Sequence, residues 1–188
     1  NTTASENTAV GMCAMLANTT GASNVAVGFK SLDANTTGST NIAIGQNAAL
    51  TNTTGTDNLV IGRSAYITAT TAANNTAIGN NSLACNTSGS NNTAVGLTSM
   101  FKNTTGASSV AVGKFSMKCN TTGDQNSALG LCSLHTNTTG TRNTALGFVA
   151  LRDNTTANDN TAVGYQALKG NTTGAENVAV GKDALLAN

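Results

Sequence analysis

The side chains that could do chemistry are few, and each sits at a fixed place in a short period. One histidine, His135, and four cysteines, Cys13, Cys85, Cys119 and Cys132, stand among nine Lys and Arg and eight Asp and Glu in 188 residues. A catalytic site needs a nucleophile, a base and an orienting group in one geometry. No such set recurs here, and His135 falls at a substitution-tolerant place where a solvated side chain is expected. No enzyme is expected. The cysteines form no C-x-x-C metal pattern, and only Cys119 and Cys132, on successive copies of the period, are near enough to meet. The same-place pairs lie two or more copies apart, beyond the roughly 7 Å that a disulfide spans between Cα atoms. Four unpaired cysteines are the expectation. Acids are too sparse for the Gly/Asp-rich repeats that bind calcium, so no metal and no cofactor is expected.

The residues that do recur are Asn and Thr. Asn-x-Ser/Thr, the acceptor pattern for an N-linked glycan, opens ten copies, at Asn1, Asn18, Asn35, Asn52, Asn86, Asn103, Asn120, Asn137, Asn154 and Asn171, with further matches at Asn74, Asn80 and Asn91. A glycan-coated filament is therefore one reading. Against it stands crowding, because stacked copies would hold neighbouring sugars only about 4.8 Å apart. The competing reading is a pair of internal Asn ladders, each side chain bonding to its equivalent above and below. Paired Thr, such as Thr19 and Thr20 or Thr36 and Thr37, also suggest a hydroxyl array for ice. Adjacent strand residues point to opposite faces, so a T-T pair yields one Thr column per face rather than a flat double row.

These residues belong to an unbroken 17-residue period with starts at 1, 18, 35, 52, 69, 86, 103, 120, 137, 154 and 171. Short periods of this kind stack into a solenoid in which each copy touches its neighbours. The eleventh place is Gly in every copy, from Gly11 to Gly181, which points to φ > 0 or a close backbone approach. The tenth is always Val, Ile or Leu, the ninth is Ala except for Val60, and the eighth is compact and often β-branched. This reads as a short strand ended by a turn. The tenth residue (Val180 in the last copy) is the expected core residue, with Leu or Met at the fifteenth place (Leu185) as a second anchor. Ala49 and Tyr66 depart at the fifteenth place, and Ala69 at the first. The N-T-T-G run at places one to four reads as a corner, and a second Asn stands at the seventh place in all copies but the one with Ser109. The expected fold is all-β, a parallel β-solenoid of eleven 17-residue rungs forming a single repeat domain over 1–188. Two β-segments per rung are expected, with one β-segment plus a short helical turn as the alternative. A lone column of small residues buries little apolar area, so lateral self-association as a trimer is expected, through the small-residue face of the ninth place.

Composition excludes several partners. Net charge is +1 with the cations scattered among the copies, which offers no basic face to nucleic acid. No 18-residue apolar run exists, so no membrane span is expected. The chain begins in phase with the repeat, with no leader in view, and its last residue starts a further copy, so an end-to-end filament is also expected.

Residues 160–164 (NTAVG), 24–28 (NVAVG) and 41–45 (NIAIG) resemble the N-S-V-A-I-G core of the YadA-like head repeat (Hep/Hag type) of trimeric autotransporter adhesins. The resemblance covers about nine of every 17 residues in all eleven copies; the family's rung is shorter, and N-T-T-G lengthens one corner here. It implies a left-handed parallel β-roll, three chains side by side, and display at a cell or virion surface. Host matrix or surface glycans are the partners it implies. A related viral fibre or free extracellular filament fits the same residues. A non-enzymatic rod or filament segment with an adhesive use is the leading expectation; the glycan-coated filament and an ice-binding β-solenoid are the alternatives.

Overall fold

The computed structural model describes residues 3–187. Among them are eleven three-residue strands, from β1 (Thr8–Val10) and β2 (Val25–Val27) to β11 (Val178–Val180), and no helix. All lie in one parallel sheet in sequence order. Each residue pairs with the one 17 places on, as in Val25 with Ile42, Ala26 with Ala43 and Val27 with Ile44. The chain is therefore a β-solenoid whose axial repeat is its sequence repeat.

Each turn holds one strand, not two. Residues at the sixth, thirteenth and fifteenth places all have positive φ between 47° and 62°, for example Thr40, Lys30 and Leu32. Left-handed backbone costs a non-glycine residue roughly 1–2 kcal/mol, and β-branched Val149 at 48° is an extreme case. Two such residues in places 12–17 break the extended geometry a strand requires. The second stretch stays bonded to its neighbours regardless. Leu32 N donates to Ala48 O and Leu134 N to Ala150 O, each at 3.0 Å. Repeated axial hydrogen bonds thus hold a backbone that local preference disfavours.

The eleventh-place glycines are required on both counts. Gly28 has φ +130°, and a Cβ there would stand 2.7 Å from the Gly45 carbonyl oxygen of the next turn.

The inside of the coil corrects the expected core. Ala26, Ala43, Ala111 and Ala162, at the ninth place, are fully buried, whereas the flanking eighth and tenth places face outward, with Ile42, Ile44, Leu129 and Leu146 all exposed. Val180, expected in the core, is outside too, at 68% exposed. The cause is width: Leu32, Leu83 and Leu134 from the fifteenth place and the buried Asn columns fill the interior, leaving the strand room for little more than a methyl group. The alternation along a strand then forces the larger aliphatics out.

One turn breaks the pattern and repairs itself. Ala69 replaces the first-place Asn, and Asn52 Oδ1 below it is buried without a partner. Tyr66, in place of Leu one turn below, is fully buried. Its hydroxyl donates to Ala72 O at 3.1 Å and accepts from Asn75 Nδ2 at 2.8 Å, and the Asn86 amide also stands against it. The phenol thus reaches past the place the missing amide would occupy. Burial pushes the Tyr66 pKa above its usual value, opposed by those two amides.

Candidate interaction surface

The recurring asparagines are interior. Asn35, Asn103, Asn120, Asn137 and Asn154 are fully buried. Asn120 Nδ2 donates to Asn103 Oδ1 at 2.8 Å and to Gly123 O at 2.9 Å; Asn35, Asn52, Asn103, Asn137, Asn154 and Asn171 repeat the pattern. Asn18 and Asn86 keep the bond to the carbonyl three residues on. Where both amide hydrogens are used, as in Asn120, a glycosidic bond at the nitrogen would need the side chain pulled out of the column. The ladder, not the sugar, is what this geometry holds. Asn1 lies outside the described residues. Asn74, Asn80 and Asn91 are exposed and retain sequon geometry open to solvent.

The seventh-place column is a second ladder. Its Oδ1 atoms accept from the backbone of the next turn, as in Asn41 N to Asn24 Oδ1 at 2.9 Å. Ser109 keeps the series going, since its Oγ accepts from Asn126 N at 3.1 Å. The second-place threonines are spent likewise: Thr36, Thr104 and Thr121 donate to the carbonyl one turn on at 3.0, 3.0 and 2.9 Å. The third-place Thr column, such as Thr37 and Thr105, is exposed in every described turn.

What the fold presents outward is the strand face. Its eighth and tenth places carry Val, Ile, Leu, Thr and Ser and no charge in any copy. Parallel register aligns them in two straight columns about 50 Å long for eleven strands at about 4.8 Å each. The twelfth place flanks one side, where the Phe148 and Tyr165 rings stack at 5.3 Å. The sixth place flanks the other with Glu6, Asp57, Asp159 and Glu176. There Arg142 Nε meets Asp159 Oδ1 at 2.7 Å and Thr40 Oγ1 donates to Asp57 Oδ1 at 2.7 Å. The Arg142 hydrogen bond holds the Asp159 carboxyl below its ordinary pKa, and Thr40 and Thr56 do the same for Asp57.

The remaining sequence candidates scatter. The four cysteines are free and half-buried. His135 is not the solvated residue expected: it is half-buried and edge-on to Phe115 at 6.4 Å. Burial first, then the charges of Lys118 and Arg152, lower its pKa. Among the described residues no three His, Cys, Asp or Glu converge, and no cavity opens in the surface. Among the described residues no helix is long and apolar enough to cross a membrane.

Hydrophobicity alone points the eighth- and tenth-place aliphatics inward, whereas the ninth-place Ala is the buried residue. The signal was present in the near-invariant Ala of the ninth place, since a position confined to one small residue marks a tight interior. The candidate surface is therefore an uncharged, periodic face between a polar sixth-place edge with four carboxylates and a mixed twelfth-place edge that holds Phe29, Phe148 and Tyr165 beside Arg63, Lys114 and Lys182. Comparison of the chain with protein-family models, curated proteins and solved structures finds no match.

Proposed function

We propose that the chain is a non-enzymatic structural rod, displayed outside the cell, that packs side by side with copies of itself through the strand face. The uncharged double column of the eighth and tenth places carries this reading. Its footprint of roughly 500 Å², enlarged by the side chains standing on it and by the twelfth-place column, approaches the about 800 Å² per partner of a stable interface. A single-chain column leaves Ile42, Ile44, Leu129 and Leu146 in water; association removes them at about 25 cal/mol per Å². Three columns facing a common axis set the polar sixth-place edge of each against the twelfth-place edge of the next, and adhesion is the use such a rod serves. Multi-angle light scattering of the intact chain and of a double variant, Ile44→Glu with Ile61→Glu, tests it. The wild type should run as a multiple of 18.7 kDa and the variant as a folded monomer. A wild-type monomer at micromolar concentration refutes the reading.

Ice binding remains a second reading, now on a different surface. Thr8, Thr76, Thr93, Thr144 and Thr161 share the strand face with Val and Ile at regular axial spacing. Thermal hysteresis in the monomeric range supports it, and ordinary freezing behaviour removes it.

A further inference from the structure

Cations that look scattered along the sequence are gathered by the coil onto one flank, away from the strand face. The sixteenth-place residues stack because the amide of each seventeenth place donates to the sixteenth-place carbonyl of the next turn. Lys102 donates to Lys118, Cys119 to His135, Thr136 to Arg152 and Asp153 to Lys169, each at 3.0 Å. Four successive turns therefore carry Lys118, His135, Arg152 and Lys169 in one column, with Lys102 at its lower end. Lys114 joins from the side: the ammoniums of Lys114 and Lys118 lie 4.8 and 5.1 Å from the Phe115 ring centroid. Two like charges thus share one ring. The carboxylate that faces the column, Asp153, is already held by Arg152 at 2.7 Å. The net charge of +1 conceals this segregation, because Glu6, Asp57, Asp159 and Glu176 occupy the sixth-place edge instead.

We propose that this flank, with Lys102, Lys114, Lys118, Arg152 and Lys169 around Phe115, binds an acidic polysaccharide strand laid along the coil axis. Lys102, Lys118, Arg152 and Lys169 put a cationic side chain on four of five successive turns, with His135 on the other. At about 4.8 Å per turn they make a rigid comb whose spacing is near the advance of one sugar ring in an extended chain. Arg152 keeps Nε and Nη2 on Asp153 and offers a carboxylate or sulfate only its remaining guanidinium hydrogens, while the lysines act as point charges. The ligand's own periodicity then lets successive acidic groups meet successive turns. Single-stranded nucleic acid fits less well, because its binders offer open aromatic rings on which bases stack, and Phe115 is covered by two ammoniums. Lys102, Lys118, Arg152 and Lys169 stand at places 16 and 17, outside the places that side-by-side packing uses; of the flank only Lys114, at the twelfth place, borders that packing.

Alginate, a polyuronate, and chondroitin sulfate are the probes, titrated into the intact protein by calorimetry at low salt and again at raised salt. Binding should weaken steeply with salt. Neutralising Lys118→Gln and Lys169→Gln together should weaken alginate binding about tenfold, with unchanged circular dichroism, whereas Lys30→Gln with Arg63→Gln, in the second and fourth turns and so below the column that starts at Lys102 in the sixth, should leave it intact. No binding of either polysaccharide at low salt overturns the proposal. So does equal loss from the two pairs, or tighter binding of an oligothymidylate than of alginate.

Discussion

Replacing Ala69 by Asn and Tyr66 by Leu should be harmful one at a time and harmless together. Tyr66→Leu alone removes the hydroxyl that bonds Ala72 O and Asn75 Nδ2 and leaves part of the phenol's volume empty. Ala72 O keeps its bond from Asn58 Nδ2 and Asn75 Nδ2 its bond to Ala73 O, so each lost hydrogen bond costs about 1 kcal/mol, and the space left by the phenol brings the loss to about 3 kcal/mol. Ala69→Asn alone drives an amide into space the phenol occupies, and overpacking of this kind costs typically 1–3 kcal/mol. The double variant restores the sequence of the regular turns. Asn52 Oδ1, buried without a partner, regains a donor, and Asn75 is free to bond as Asn92 does, donating to the next corner carbonyl, Gly106 O, at 2.8 Å. Its stability should lie within about 1 kcal/mol of the wild type, giving a coupling of roughly 3 kcal/mol or more between the two sites. Urea unfolding followed by circular dichroism reads this as midpoint shifts at constant m-value. Additive losses in the double variant would refute the view that Tyr66 substitutes for the missing rung of the ladder.

Four other outcomes follow from the same geometry. Gly28→Ala, whose Cβ would meet the Gly45 carbonyl at a φ of +130°, should cost on the order of 3 kcal/mol, read by the same unfolding assay. Asn120→Ala should leave Asn103 Oδ1 and Asn137 Nδ2 without their ladder partners and cost about 2–4 kcal/mol, with little recovered by Asp, which lacks the donor. Expressed in a glycosylating host, the first-place asparagines should stay unmodified, with any added mass mapped by peptide analysis to Asn74, Asn80 or Asn91. The lowered pKa of His135 fixes a sign: the unfolded state takes up the proton first, so stability falls as pH drops below about 6.5. His135→Gln should flatten that part of the pH–stability curve.

The sequence made the period, the parallel stacking and both Asn ladders legible, because a place held by one residue type through many copies is one the axial neighbours constrain. Gly28 and its equivalents showed a backbone requirement, and Asn120 and its equivalents a hydrogen-bonding one. Which face of the strand turned inward was not legible from local pattern. Ala26 and Val27 differ in size, and greater hydrophobicity argues for Val inside; interior width, set by Leu32 and Asn24 from other stretches, decides for Ala. The second stretch misled for a related reason. Leu32 and Leu168 carry no local signal for left-handed backbone, which the hydrogen bonds to adjacent turns impose. The basic flank was invisible because Lys118, Arg152 and Lys169 stand 17 or 34 residues apart and meet only once the coil is wound.

Imaging the native assembly in cross-section tests most directly whether this column works as a self-packing rod. The account predicts three columns around a common axis, with the eighth- and tenth-place side chains such as Ile42 and Ile44 turned inward and no density extending from Asn120 or its equivalents. Isolated single columns, or packed columns whose strand faces look out to solvent, would contradict it.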